Sequence, residues 1–498
     1  MFGMADASGA TPMNDLRPYP RIKDSGVEWL GEVPAHWEVR QLGRIGRVFK
    51  GNGGTKADEA DEGTPCVRYG DLYTNHRFHI TETRSRVDPL VAQTAYTSIQ
   101  YGDVLFAGSG ETIEEIGKSA ANLMRCTACC GGDVIVFRPN RAMNPAFLGY
   151  ATDCLPTAQQ KAQMGRGFTV MHIYGGDLKR LNIAVPPAAE QAAIARYLDH
   201  ATGRIDHQIR AKEKLIALLE EQKATLVKQA VTGQTNVRTG RRFSAYKASG
   251  LDWLGGVPEH WQMIRNGRLF AQRNETGRPE LPILEVSLRS GIHVRDFENS
   301  NRKQVLSDRS LYKRVAKGDI AYNMMRMWQG AVGVAPTDGL VSPAYVVAKP
   351  MPGIDSRYFD HLFHIRGYMT EVDRYSRGIV KDRNRLYWED FKQMPTPCPP
   401  SDEQAAIADA VEDQTAATSA YIRNVRSQIS LAHEYRTRLV ADVATGKLDV
   451  RDAAERLPNE PEDPGTLGCD HPLAEASIDR SNLGGNQPYD REEAIQYD

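Results

Sequence analysis

The chain has 498 residues, 41% of them hydrophobic and 25% charged, with a formal net charge of −1; this is a globular composition of at least two domains and excludes fibrous or wholly disordered classes. Seven irregularly spaced cysteines are too few for a disulfide framework and predict a reducing, cytoplasmic setting, while the start MFGMADASGATPMNDLRPYP lacks a signal-peptide pattern and no membrane-length apolar run occurs. The flat total hides an asymmetry, because residues 452–498 hold twelve Asp/Glu against three Lys/Arg and leave residues 1–451 at about +8, a basic body suited to an anionic partner.

In chain order, a flexible N-terminus (1–16) leads into a first domain expected over 17–185, which opens on SGVEWLGEVPAHWEVRQLGR at 25–44. Apolar runs such as Val104-Leu105-Phe106 and Val134-Ile135-Val136, bounded by Gly, Asp and Pro, predict buried strands. A Pro-Pro pair then gives way to a long helix expected at 186–235, with Ala189-Glu190-Gln191 at its start and Ile194, Leu198, Ala201, Ile205, Ile209, Ile216, Leu219 and Leu226 along one stripe. The opening block returns at 249–268 as SGLDWLGGVPEHWQMIRNGR, identical at eleven of twenty positions, and starts a second domain expected over 236–398. Between the blocks the halves keep matched punctuation, Gly102-Asp103-Val104 answering Gly318-Asp319-Ile320, but differ at most other positions. A second helix is expected at 399–447, introduced by PPSDEQAAIADAVED as the first is by PPAAEQAAIARYLD, with Ile407, Val411, Tyr421, Val425, Ala432 and Leu439 as its stripe. Both helices end on Thr-Gly, where glycine suits the left-handed C′ position. The acidic segment 448–498 reads as a disordered tail.

The expected fold is mixed α/β: two tandem α/β domains, each followed by a long helix, the two helices pairing as an antiparallel coiled-coil spacer with pseudo-twofold symmetry. A common scaffold with divergent surfaces suits a reader of two unlike half-sites, with the helices as the ruler between them.

The blocks WLGEVPAHWE, GDVLF, GSGETIEEIGK, PPAAEQAAIARYLD and KQAVTG, together with their second copies, resemble specificity subunits of type I restriction-modification enzymes over about residues 17–451. The resemblance implies that the α/β domains are target-recognition domains binding double-stranded DNA, and that the spacer helices bind two methyltransferase (modification) subunits. Restriction (motor) subunits would complete the complex. It further implies a non-catalytic chain without cofactors of its own, with S-adenosylmethionine, ATP and Mg on the partners, directing adenine methylation and cleavage of an asymmetric bipartite target.

Reading DNA requires phosphate clamps and a few side chains able to reach base edges. The candidates are Lys50, Asn52, Arg68, Tyr69, Lys118 and Arg166 in the first half, and Arg289, Arg326, Gln329, Arg377, Lys381, Arg383 and Arg385 in the second. The stripe residues Ile194, Leu198, Ile205, Leu219, Leu226, Ile407, Val411, Val425 and Leu439 are the candidates for spacer or partner contacts. Trp29, Trp37, Trp253 and Trp261 beside His36 and His260 recur identically and are expected to be framework, since base readers should differ between halves.

Two enzyme-like signals compete. Phe106-Ala107-Gly108-Ser109-Gly110 fits the glycine loop of S-adenosylmethionine-dependent methyltransferases, but no [N/D]-P-P-[Y/F/W] motif accompanies it and the second half lacks those glycines. Cys126, Cys129 and Cys130 could ligate zinc, yet no second Cys/His pair stands at a finger-like spacing, so no metal is expected. A third reading, a coiled-coil adaptor that never meets DNA, is opposed by the basic body.

Overall fold

A computed structural model describes residues 16–54, 56–288, 291–295, 308–378 and 384–458. It divides into two compact units, the first formed by residues 1–208 with 430–498 and the second by residues 209–429. The long helices span Ala188–Val231 and Ser401–Ala444, so each contributes residues to both units.

Unit 1 is built on a five-stranded sheet in the order Gly46–Lys50, Val134–Pro139, Val104–Ala107, Ser119–Asn122 and His79–Ile80. Side chains alternate across a strand, so Val104 and Phe106 face one core with Ile135 and Phe137, while Leu105 and Ala107 face another with Val134 and Val136. Both faces being covered explains why these strands read as unbroken apolar runs rather than alternating ones. Asp103, at the strand entrance, is buried; it accepts two hydrogen bonds from the Arg138 guanidinium, at 2.8 and 2.7 Å, and one from the Gln100 amide at 2.7 Å.

Unit 2 repeats this sheet as Phe270–Arg273, Tyr345–Pro350, Ile320–Asn323 and Val332–Val334, in the same order. Asp319 is again buried at the strand entrance, but its arginine, Arg273 at 2.6 Å, comes from the first strand instead of the second. The scaffold therefore conserves the buried charge pair while exchanging the strand that supplies the cation.

The helix stripes divide into two roles. Ile194 and Leu198 are buried in the core of unit 1, and Ile407 and Val411 in that of unit 2, so the opening turns of each helix belong to a globular core. A helix-to-helix seam follows in unit 2, where Ile216 and Leu219 meet Ile422, Val425 and Ile429. Lys212 Nζ donates to Gln428 at 2.6 Å and Lys223 Nζ to Ser419 at 2.8 Å, so ascending numbers on one helix meet descending numbers on the other and the pairing is antiparallel. In unit 1, Ile205 and Leu439 share a core, and Asp206 accepts hydrogen bonds from Arg436 and Arg77. Leu226 is half-buried. Tyr421 departs from expectation: it is exposed, and Ile422, about 100° further round the helix, fills the seam.

The acidic tail also begins later than its composition suggested. Residues Arg451–Glu455 form a short helix whose Ala453 and Ala454, with Val450, are buried in unit 1 beside Leu439 and Val443. Small apolar residues at helical spacing outweigh the flanking charges there; residues 459–498 and 1–15 lie outside the described residues.

The helix Ser356–Phe363 of unit 2 carries His361, whose imidazole pKa is pushed down to about 4 by burial, reinforced by the nearby positive charges of His364, Lys223 and Arg357 and partly opposed by Asp355. Between about pH 6.5 and 4 the unfolded chain binds a proton at this position that the folded chain refuses, so stability falls as pH falls through that window. Unit 2 is expected to lose about 1–2 kcal/mol between pH 7 and 5. His361→Leu should flatten the pH dependence of its denaturation midpoint over that range.

Candidate nucleic-acid interface

The repeated blocks form a frame in each unit. In unit 1, Glu190, in the first turn of the long helix, accepts from Trp37 Nε1 at 2.9 Å and the Tyr19 hydroxyl at 3.1 Å and pairs with His36 Nε2 at 2.7 Å. Burial, with the Glu190 charge, raises the Tyr19 hydroxyl pKa well above the usual phenol range. In unit 2, Glu403 accepts from Trp261 Nε1 at 3.1 Å and pairs with His260 Nε2 at 2.8 Å, with Phe243 in the position of Tyr19. The following glutamines act alike: Gln191 Oε1 accepts from the Asn144 amide and Gln404 Oε1 from the Asp355 amide, both at 2.9 Å. The Thr-Gly helix ends close the frames. A Cβ on Gly446 would lie 2.4 Å from Pro34, and one on Gly233 2.4 Å from Pro258. His36, His260, Trp37 and Trp261 are thus framework, and what differs between the halves lies elsewhere.

It lies at the end of each central sheet where the strand Val104–Ala107, or its counterpart Ile320–Asn323, terminates. In unit 1 the turn Gly131–Asp133 gathers this end: the Gly131 amide donates to Val67 at 3.1 Å, the Gly108 amide to Asp133 at 2.8 Å, and the Gly51 amide to Val134 at 2.7 Å. Lys50, Asn52 and Arg68 are thereby brought around one turn, and Tyr69 starts a helix whose Tyr73 hydroxyl donates to Ser109 O at 3.0 Å. Lys50, Asn52, Gly51, Gly53, Gly54, Gly132 and Asp133 line an open cavity of about 360 Å³, walled largely by backbone. Arg166 stands on an adjoining hairpin, Arg166–Gly167 with Met171–His172, held to Ser109–Gly110. Arg68 is half-buried and donates to Glu59 at 3.2 Å, leaving its other terminal nitrogen buried without a hydrogen-bond partner.

Lys118, expected at the DNA surface, belongs instead to an internal network with Asp153 and Lys161. Two cations converge on one buried carboxylate, so this ammonium is committed to the fold.

In unit 2 the loop following Asn323 carries Arg326 and Gln329, both exposed. The Met324 carbonyl accepts from the Leu386 amide at 2.8 Å, which seats this loop against the segment where Arg377 and Arg385 pair backbone to backbone. Arg377 also pairs with Asp390, as Arg166 approaches Asp177 at 3.6 Å in unit 1. Arg289, Lys381 and Arg383 lie outside the described residues.

The glycines of the methyltransferase-like loop have structural explanations: a Cβ on Gly108 would lie 2.9 Å from the Asp133 carbonyl, and one on Gly110 2.6 Å from the Tyr73 hydroxyl. Cys129 and Cys130 lie on a buried strand, Cys129 in register with Cys66, and burial pushes the Cys130 thiol up to about 12. Among the described residues no group of His, Cys, Asp and Glu is placed to hold a metal ion, and no helix is long and apolar enough to cross a membrane.

The sequence profile of the type I restriction modification DNA specificity domain matches residues 34–220. The EcoKI specificity subunit of Escherichia coli K12 is 22% identical over 85% of this chain and 92% of its own length, and the StySPI specificity subunit of Salmonella potsdam is 20% identical over the same shares. Over most of its length the chain is similar to type I restriction enzyme specificity subunits. A solved chain from work on complex assembly and conformational transition of the type I R-M system shares the fold, with a TM-score of 0.57 and 16% identity over 83% of this chain and 98% of that one. The profile match ends within the first long helix, so the likeness of the second unit rests on the relatives aligned over 85% of the chain and on its repeat of the same frame.

Proposed function

We propose that this chain is a type I specificity subunit that reads an asymmetric, gapped DNA target, one half-sequence with the sheet end of each unit. The observation that carries the reading is the contrast between the two sheet ends and their frames. The His-Trp-Glu frames coincide residue for residue, whereas Lys50, Asn52, Arg68, Tyr69 and Arg166 in one unit answer to Arg326, Gln329, Arg377 and Arg385 in the other. Identical readers would select a palindrome, and unlike ones select two different half-sequences. Methylation and cleavage then fall to partner subunits carrying S-adenosylmethionine, ATP and Mg, with the exposed Leu215, Leu218, Tyr421 and Leu431 of the long helices available to hold the methyltransferase subunits.

The test is selection from a randomised duplex pool by the chain co-purified with its methyltransferase subunit, followed by sequencing of the bound fraction. Two unlike motifs at a fixed gap are expected; a stable complex that enriches no motif overturns the reading in favour of an adaptor. Because the helix pair is antiparallel, its length changes cleanly only when both helices change. A matched heptad inserted beside Leu219 and Ile422 adds about 10 Å and is expected to shift the preferred gap by about three base pairs at the ~3.4 Å rise of duplex DNA, with both half-sequences retained. An unchanged gap in the folded variant would separate spacing from helix length.

A further inference from the structure

The hairpin carrying Arg166 presents a side chain that the fold does not use. Its strands Arg166–Gly167 and Met171–His172 are anchored along Ser109–Gly110, His172 Nδ1 lies 3.0 Å from Ser109 Oγ, and the next residue, Ile173, is buried in the sheet core with Ile116. Gly167 has φ +143, and a Cβ there would lie 2.0 Å from the Val170 carbonyl, so the turn is held tight. On this fixed stalk Phe168 is 99% exposed, with Val170 and Tyr174 also exposed nearby. Arg166 and Arg180 both reach Asp177, a buried carboxylate, and leave their guanidinium groups mostly in solvent. A fully solvated phenyl ring on a rigid turn, flanked by cations at the sheet end assigned to DNA, is the arrangement of an apolar wedge. In sequence the second half again follows Arg-Gly with a bulky apolar residue, Ile379.

We propose that Phe168 inserts into the base stack of the half-sequence read by unit 1, unstacking one step while Arg166 and Arg180 hold the adjoining phosphates. The proposal rests on the DNA-reading function above and names the residue by which one unit distorts its half-site. Phenylalanine is among the residues that wedge between base steps, and a ring that is 99% exposed gives up no packing within the fold on entering the stack.

The experiment uses the chain co-purified with its methyltransferase subunit and the selected duplex, with 2-aminopurine placed in turn at each position of either half-sequence. The wild-type complex should brighten 2-aminopurine at one step of one half-sequence. Phe168→Ala should abolish that signal and weaken binding roughly tenfold. Phe168→Lys should weaken binding as well, although added positive charge alone would strengthen it. At full exposure neither substitution threatens folding, and co-purification checks assembly. Unchanged affinity and fluorescence in Phe168→Ala overturns the wedge while leaving the DNA-reading function standing. So does loss of the methyltransferase subunit from that variant, which would make the ring a protein contact. Failure of the wild-type complex to select any duplex instead defeats the underlying reading.

Discussion

Glu190→Ala is expected to destabilise unit 1 by about 3 kcal/mol, because it leaves the Trp37 indole N–H and the Tyr19 hydroxyl buried without an acceptor. The carboxylate also links three distant stretches of chain: Tyr19 and Trp37 from the opening segment, its own helix, and Arg451, whose guanidinium lies 3.8 Å away. Hydrogen exchange should therefore rise together at residues 19–37, at the start of the first long helix, and at Val450–Ala454. Glu190→Gln keeps one acceptor oxygen and should fall between wild type and alanine. Glu403→Ala should cost less, about 1–2 kcal/mol, since Phe243 has no hydroxyl to strand and only Trp261 and His260 lose their partner. Equal protection in Glu190→Ala and wild type would mean that the repeated frame is not what holds the helix to its domain.

Asp153→Ala should have a comparable or larger effect, about 3–5 kcal/mol, because removing one partner of a buried ion network strands the others. Lys161 is only 1% exposed, and its ammonium is 2.9 Å from Asp153 and 3.0 Å from the Thr152 carbonyl. Burial alone would raise the Asp153 pKa, but Lys161 and Lys118 outweigh it and hold the carboxyl below the ordinary carboxylate range. With the folded pKa depressed, the carboxylate's stabilisation is complete above the unfolded-state value of about 3.9 and is lost as pH falls through the lower folded one. Asp153→Ala combined with Lys161→Met removes the stranded charge and should recover at least half the loss in urea denaturation. Additive losses would show that the two groups do not act as a pair.

Much of this organisation is legible in the sequence, since a tandem repeat is a one-dimensional signal. Eleven identities in twenty positions and the recurring E-Q after Pro-Pro need no coordinates to be seen. The unbroken apolar run Val104–Ala107 and the helix stripes are likewise local patterns, and the structure adds to them chiefly the one-residue shift from Tyr421 to Ile422. The role of Glu190 is less legible, because an acidic residue in a first helical turn has an ordinary local explanation in the helix dipole. Its joint repetition with His-Trp is the sequence signal for its role as hydrogen-bond acceptor to a side chain 153 positions away. The surroundings of Lys118 are not legible in this way, because ion pairing is not written in residue type. A lysine beside a glycine-rich loop looks like a phosphate ligand until Asp153 and Lys161 are seen beneath it.

The sequence by itself determined that the protein is two copies of one scaffold joined by related helices, because duplication and 3.6-residue periodicity survive in linear order. Tertiary structure alone decided which charges remain at the surface, which glutamate anchors each frame, and that the closing turn of unit 1 comes from the far end of the chain, where Gly446 abuts Pro34 and Trp37. Those outcomes depend on desolvation and on partners hundreds of residues apart, and a buried hydrogen bond or ion pair belongs to the place where segments meet rather than to either segment.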